Sequence, residues 1–178
     1  HGEGQKVAII FNDDGDPDAV DMPESVRNYA DLQTMTAGCF GCDDADTLVA
    51  TLQQLDGNVD VVFVEPIGFT SAGEMLNVFG TAGITPFVVT LVDAEHLDAN
   101  LHIGTLDGQV AAANVVLITK VTDENRAAVS TYVDDNKGIG VPVHEHGADE
   151  PYSYGFEIEV KGDHSYHEHD HGCGHDHH

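Results

Sequence analysis

The sequence predicts an α/β domain with a mostly parallel sheet, because buried-strand patterns alternate with helical patterns along most of the chain. Its 178 residues fit one domain, and 41% of them are hydrophobic, which is enough to form a core. We therefore expect a three-layer sandwich of helices and sheet over residues 1–162, followed by a tail of different composition over residues 163–178.

Four apolar runs are the candidate strands, and their lengths and bulky aliphatic side chains are typical of strands buried in a parallel sheet. They are KVAIIFN (6–12), VDVVFVEP (59–66), PFVVTLVDA (86–94) and NVVLITK (114–120).

Three segments between and after these runs are predicted helices. DADTLVATLQQL (44–55) spaces its leucines at helical intervals, and DENRAAVSTYVDD (123–135) opens with acidic residues, which suit a helix amino terminus. TSAGEMLNVFG (70–80) starts with a Thr/Ser cap and ends on a glycine. This alternation of strand and helix is typical of βαβ units.

The charge balance is strongly acidic, with 32 acidic residues against six basic ones and a formal net charge of −26. Such a surface repels nucleic-acid backbones and anionic membranes, so neither is an expected partner, whereas it attracts cations. Adaptation to a high-salt cytoplasm explains the same composition. With no long apolar run and no signal-peptide pattern, the sequence predicts a soluble, cytoplasmic protein.

The tail, DHSYHEHDHGCGHDHH from Asp163 onward, carries seven histidines and one cysteine in its last fifteen residues and cannot form a core. Imidazole and thiolate are ligands of Zn²⁺, Ni²⁺ and Co²⁺, and the interspersed carboxylates attract divalent cations. The tail is therefore a predicted metal-binding segment. Its candidate ligands are His164, His167, His169, His171, Cys173, His175, His177 and His178.

The other two cysteines, Cys39 and Cys42, form a C-x-x-C within TMTAGCFGCDDADTL. Spacing alone leaves three interpretations open: half of a metal site, a thioredoxin-like redox pair, or two small buried residues. The neighbouring carboxylates destabilise a thiolate and favour a bound cation. His144 and His146 form an H-x-H that would point to one side of a strand. We expect two exposed loop histidines or, alternatively, a further cation site, and His96 is expected to stand alone.

Five segments in order resemble one family. KVAIIFNDDGD, TAGCFGCDDADTLVATLQQL, VDVVFVEPIGFT, PFVVTLVDAEHL and NVVLITKVTD resemble the CobW family of metal-handling P-loop GTPases, relatives of UreG and HypB. The family pattern is strand-N-E-x-G-E, then G-C-x-C-C before a helix, then strands that end in E-x-x-G, V-D-A and [NT]-K-x-D. The resemblance implies a P-loop NTPase-like fold, with GTP and Mg²⁺ as ligands and a client metalloprotein or partner chain as recipient of the metal.

The resemblance also implies roles for individual residues. Glu65 and Gly68 match E-x-x-G, where the carboxylate works around Mg²⁺ and the glycine N–H senses a γ-phosphate. Asp93 matches the V-D-A strand end, and Thr119 and Lys120 match the start of the guanine-reading motif. In the metal site, Cys39 and Cys42 match the outer cysteines of G-C-x-C-C. Asp13 and Asp16 match the acidic positions of N-E-x-G-E and are implied to lie close by as further ligands.

Three departures from the family pattern limit this reading. The phosphate-binding G-x-x-x-x-G-K-[ST] loop is absent, since Lys6 of GEGQKV is followed by Val and opens a strand. In TKVTD, Thr122 stands where the family has Asp, and Asp123 comes one residue late. The smaller C-terminal domain of the family is missing or reduced to YGFEIEV (154–160). Without the loop, no cradle of amides and lysine holds the phosphates.

The sequence therefore predicts a metal-binding, CobW-like protein that handles Zn²⁺, or Co²⁺ or Ni²⁺, and whose GTPase activity is lost or depends on sequence outside this chain. Two alternatives remain: a functional GTPase whose phosphate loop lies elsewhere, and a C-x-x-C redox or scaffolding protein.

Overall fold

The computed structural model describes residues 6–12, 30–35 and 45–147. We number the strands and helices of these ranges in chain order. They are β1 (Val7–Asn12), β2 (Ala30–Met35), α1 (Ala45–Leu55), β3 (Val61–Glu65), α2 (Ala72–Thr81), β4 (Val89–Asp93), α3 (Leu97–Ile103), α4 (Leu106–Ala112), β5 (Val115–Val121), α5 (Arg126–Asn136) and β6 (Val143–Gly147).

The α/β class with parallel strands is confirmed, and the four predicted strands and three predicted helices are all present within a few residues of their expected bounds. Ser71 occupies the N-cap position of α2, although its side chain makes no capping hydrogen bond. Four described elements had not been predicted: β2, α3, α4 and β6. No helix of the described residues is long and apolar enough to cross a membrane.

The strands form two three-stranded sheets in which every paired neighbour runs parallel. The first sheet has the order β2-β1-β3 and the second has the order β4-β5-β6. Among the described residues, β3 and β4 are therefore each paired on one edge only. Because all neighbours are parallel, the carboxyl ends of the strands lie along one edge of each sheet.

Each sheet buries one face against helices. In the first sheet, Ala8 and Ile10 of β1 pack with Leu48, Leu52 and Met75 from α1 and α2. Alternation along a strand sends every second side chain to this face, and this periodicity explains why both residues of β1 are fully buried while their neighbours are not.

In the second sheet, Val116 and Ile118 of β5 pack against Val110 of α4 and Val129 and Val133 of α5. Val92 of β4 belongs to the same cluster. The helices follow one another in contact, α1 with α2, α2 with α4, and α4 with α5. The two sheets therefore share a single row of helices on one side.

The opposite side, which we call the back face, carries Ile9, Phe63, Leu91 and Leu117, because these residues alternate with those that touch the helices. Phe63 is 50% exposed and Leu91 is 63% exposed, whereas Leu117 is only 5% exposed. The back face is thus covered over β5 and open over β3 and β4.

The H-x-H segment was expected in a loop, and this expectation is wrong. His144 and His146 lie within strand β6, where His144 is exposed and His146 is buried. The pairing of β6 with β5, with Leu117 opposite His144, accounts for the extended conformation.

Candidate functional site

The carboxyl edge of the second sheet brings together two residues that the sequence had singled out separately. Asp93 ends β4 and is the register partner of Thr119 in β5, so Lys120, the next residue of β5, lies beside it. Lys120 Nζ donates to Asp93 Oδ2 over 2.7 Å and lies 3.6 Å from a carboxylate oxygen of Glu95. The residues are 27 positions apart in sequence, and only the parallel pairing of β4 with β5 makes them neighbours.

Asp93 also organises the turn that follows its own strand. Its Oδ1 accepts the backbone N–H of Glu95 at 3.0 Å and that of His96 at 3.3 Å. The ring Nδ1 of His96 donates to Oδ2 over 3.0 Å. This carboxylate therefore accepts from two backbone amides, an imidazole and an ammonium, and its four interactions fix the β4–α3 turn and the position of Lys120 at once.

These contacts determine the protonation states of Asp93 and Lys120. Partial burial by itself would raise the pKa of Asp93, but the hydrogen bonds from Lys120, His96 and the N–H of Glu95 outweigh it and hold the pKa below its ordinary value. The hydrogen bond to Asp93 raises the pKa of the Lys120 ammonium above its ordinary value, against partial desolvation. The pair is therefore an ion pair at neutral pH.

The backbone at Lys120 has an unusual conformation that a neighbouring side chain supports. Its φ of 56° is the only positive φ of a non-glycine residue in the described ranges. Asn125 Nδ2 donates to the carbonyl of Lys120 at 3.1 Å, and Asn125 Oδ1 accepts the N–H of Thr122 at 2.8 Å. The Thr122 hydroxyl in turn accepts the N–H of Asn125 at 3.4 Å. Asn125 therefore connects the β5–α5 turn to the end of β5 at Lys120.

The two other residues predicted for base recognition lie in very different environments. Thr119 is buried, and its hydroxyl donates to the carbonyl of Val92 over 3.5 Å, so it ties β5 to β4 beneath the edge. Asp123 is on the surface, with a side chain 99% exposed, and its Oδ1 lies 3.4 Å from Arg126 Nη1. The structure thus places Asp93 and Lys120 in contact, Thr119 below them and Asp123 away on the surface.

Glu65 and Gly68 lie at the carboxyl end of the first sheet, where Glu65 is the last residue of β3 and both are exposed. The side chain of Gln109 in α4 reaches this loop, and its Nε2 donates to the carbonyls of Gly68 and Thr70, each at 3.0 Å. Gln109 is a polar connection between the two sheets. The hydroxyl of Thr70 is buried and has no hydrogen-bond partner among the described residues.

One group of potential metal ligands is present in the described ranges and was not predicted. Asp93, Glu95 and His96 offer ligand atoms within 4.8 Å of one another, so the expectation that His96 stands alone is wrong. However, the Lys120 ammonium already contacts both carboxylates. A lysine inside the ligand set provides the positive charge that a metal would otherwise bring, so this cluster is better understood as part of the turn.

The predicted metal ligands Asp13, Asp16, Cys39, Cys42 and those of the tail from His164 to His178 lie outside the described residues. The described strands on either side of these segments are paired. Asn12 and Met35 are register partners at the carboxyl ends of β1 and β2, and the described chain resumes with α1 at Ala45. Asp13 directly follows one of these paired strand ends, and Cys39 comes four residues after the other.

Sequence reasoning missed Asn125, Gln109 and the pair Glu95 and His96. A Thr followed three positions later by Asn, as in TDEN, is a local signal that could have identified Asn125 as the residue that closes the turn. Gln109 had no such signal, because its partners Gly68 and Thr70 lie 41 and 39 residues away and are backbone carbonyls.

Comparison with known proteins gives one match. The family model described as CobW/HypB/UreG, nucleotide-binding domain, matches residues 1–138. No curated protein and no solved structure matches the chain. The matched range includes every described strand and helix except β6, together with the Cys39–Cys42 segment and the Asp93–Lys120 pair.

Proposed function

Because the chain belongs to the CobW/HypB/UreG family, we propose that it is a cytoplasmic metal-handling accessory protein that binds Zn²⁺, or Co²⁺ or Ni²⁺, and delivers it to a client protein. The observation that carries the proposal is the family match over residues 1–138, which spans the C-x-x-C segment. The acidic charge of −26 supports it, since such a surface concentrates cations.

The ligand chemistry fits a zinc-type ion. Two thiolates from Cys39 and Cys42 supply half of a tetrahedral shell, and a carboxylate from Asp13 or Asp16 is a suitable third ligand. The strand register supports this grouping, because β1 and β2 end side by side at Asn12 and Met35.

The His-rich tail would act as a second metal-binding segment, a reservoir beside the thiolate site. Its seven imidazoles are interspersed with Ser, Tyr, Glu, Asp, Gly and Cys, a composition that offers many alternative ligand sets. In this proposal the tail collects the ion and the thiolate site holds it for transfer.

The proposal is tested by Co²⁺ binding to the full chain and to matched cysteine variants. Cys39→Ser/Cys42→Ser should remove the intense visible bands of a tetrahedral thiolate site, while Cys173→Ser should keep most of them. Deletion of residues 164–178 should lower the number of bound Zn²⁺ ions but keep about one thiolate-bound ion, with the thermal transition of the metal-free protein nearly unchanged. Bands that survive Cys39→Ser/Cys42→Ser would contradict the assignment.

The same variants separate metal transfer from redox activity. Nearby carboxylates raise the pKa of a free thiol, so alkylation of Cys39 and Cys42 in the metal-free protein at neutral pH should be slow and should slow further with Zn²⁺. Fast alkylation whose rate does not change with Zn²⁺, together with a readily formed Cys39–Cys42 disulfide, would favour the redox alternative.

A second candidate function, guanine-nucleotide binding, is favoured by the Asp93–Lys120 pair and by the adjoining β5–α5 turn that Asn125 stabilises. The chemistry that Mg²⁺ and GTP supply in this family is phosphoryl transfer, but residues 1–178 contain no phosphate-binding loop. Lys120 is held by Asp93, and Asp123 lies beside Arg126. We therefore propose that this chain by itself binds GTP weakly at best and that hydrolysis requires a phosphate loop from outside it.

Calorimetry with GTP and Mg²⁺ tests this second candidate. Residues 1–178 should show no hydrolysis above background, and any weak binding should fall in Lys120→Ala but not in the control Lys137→Ala. Micromolar, Mg²⁺-dependent affinity would show that the chain contains a phosphate site of its own.

A further inference from the structure

The turn between β5 and α5 contains a set of hydrogen bonds that fixes Thr122. The Thr122 N–H donates to Asn125 Oδ1 over 2.8 Å, and the Thr122 hydroxyl accepts the N–H of Asn125 at 3.4 Å. The Thr122 carbonyl accepts the N–H of Arg126 at 3.0 Å, which joins the turn to α5. Since Asn125 also donates to the carbonyl of Lys120, Thr122 is held beside the strand end where Lys120 pairs with Asp93.

Three carboxylates of this region are each engaged by a cation. Asp93 accepts from an ammonium, an imidazole and two backbone amides. Glu95 has a carboxylate oxygen 3.6 Å from that same ammonium, Lys120 Nζ. Asp123 is 99% exposed, and its Oδ1 lies 3.4 Å from Arg126 Nη1. The side chain that the turn itself holds beside the strand end is therefore a threonine hydroxyl and not a carboxylate.

A hydroxyl and a carboxylate differ in how they can recognise a purine. Guanine presents N1–H and a 2-amino group, which are both donors, whereas adenine presents an N1 acceptor beside its 6-amino donor. A carboxylate only accepts, so it pairs with both guanine donors at once and is repelled by the adenine acceptor. The Thr122 oxygen uses one lone pair for the Asn125 N–H, and its hydrogen and second lone pair are the groups that it can offer a base. It can therefore donate to adenine or accept from guanine, through a single bond in either case.

Starting from the second candidate function, nucleotide binding beside the Asp93–Lys120 pair, we infer that this edge binds purine nucleotides without distinguishing guanine from adenine. Contacts with the flat face of a base are available to every base, so they do not select one purine over the other. Selection depends on hydrogen bonds to the base edge, and Thr122 is the residue of the turn that would make them. Its hydroxyl suits both purines equally well.

The exposure of Thr122 weakens selection further. A binding site rejects the wrong ligand strongly when that ligand leaves a buried polar group of the site without a partner. Thr122 is exposed, so water can take up whichever half of the hydroxyl a bound base does not use. Neither purine therefore leaves an unpaired buried group at this position, and the affinities for the two should be similar.

The test measures the dissociation constants of GTP, ITP and ATP, each with Mg²⁺, for residues 1–178 by ligand-observed NMR titration. ITP lacks only the 2-amino group of GTP, so comparing the two isolates that donor. The three constants should agree within about fivefold, and Lys120→Ala should weaken all three alike. A larger preference for one base would overturn this inference and leave nucleotide binding intact. Absence of binding, or binding that Lys120→Ala does not weaken, would overturn the second candidate function and this inference together.

Matched variants of two consecutive residues test the role of Thr122. Thr122→Asp should raise the preference for GTP over ITP and ATP at least about fivefold, because a carboxylate can pair with both guanine donors. The fold should be kept, since an aspartate oxygen can also accept the N–H of Asn125. Asp123→Ala is the control and should leave the three affinities in the same ratio. Ratios that do not change in Thr122→Asp, or that do change in Asp123→Ala, would overturn the assignment of the base edge to Thr122.

Discussion

The central strands of the two sheets, β1 and β5, are paired in the same way but differ in how many of their side chains are buried. Both pair with a parallel strand on each side. Along β5, six of seven residues are buried, whereas in β1, over residues 7–11, whose burial the structure describes, only Ala8 and Ile10 are buried, the two that face the helices. The difference teaches that a central position in a sheet does not by itself bury a strand: β5 is covered on both faces and β1 on one.

The largest expected effect tests whether β5 is covered on both faces and β1 on one. Leu117→Ala on the back face of β5 should lower the free energy of unfolding by about 2–5 kcal/mol, because it leaves a cavity at a site that is 5% exposed. Ile9→Ala, on the same face of the half-buried β1, should cost clearly less. Urea unfolding of both variants measures the difference, and equal losses would show that β1 is covered as well as β5.

The next effect concerns the hydrogen bonds of Asn125 at the carboxyl edge of the second sheet. Asn125→Ala removes the hydrogen bonds to Lys120, which has the positive φ, and to Thr122, and we expect a loss of about 1–3 kcal/mol. Asp123→Ala is the matched control from the same turn and should remain within about 0.5 kcal/mol. Thermal unfolding compares them, and similar losses in the two would refute the bracing role of Asn125.

A smaller effect tests how the two sheets are connected. Gln109→Ala removes two hydrogen bonds to the β3–α2 loop and should cost about 1 kcal/mol. Amide exchange should increase in the first sheet more than in the second, because the second sheet keeps its core on α4 and α5. Gln53→Ala, on the exposed side of α1, is the control; a uniform increase in exchange would indicate that the sheets unfold as one unit.

The smallest effect depends on pH. Since the pKa of Asp93 is lowered in the folded protein, the group adds stability above its unfolded pKa of about 3.9, and this contribution is lost as pH falls through the lower folded value. Asp93→Asn should therefore reduce stability at pH 7, by less than about 1 kcal/mol for this partly exposed pair, and the reduction should shrink below about pH 4. Denaturant midpoints against pH measure it, with Asp135→Asn as control. A loss of stability in Asp93→Asn that stays constant down to about pH 2 would show that the lowered pKa of Asp93 is not its cause.

Some of the site was readable in sequence and some was not. Asp93 and Lys120 were identified because each stands at the end of an apolar run within a recognisable motif. Their direct ion pair was not predicted, since a motif gives the position of a residue and not the partner that its side chain finds. The unpredicted β2, ADLQTM, lacks the continuous apolar run of a buried strand, and its pairing with β1 had no local signal.

The sequence by itself determined the α/β class, the four apolar strands and the three longer helices, because hydrophobic periodicity and helix-end chemistry are local properties of the chain. It also determined the acidic charge and the presence of metal-binding side chains. Only the tertiary structure decided that the strands divide into two sheets, that Gln109 connects them, and that the back face is buried over β5 but exposed at Phe63 and Leu91. These features depend on which strands become neighbours and which face receives helices, and contacts between residues some 40 positions apart leave no periodic trace in a sequence.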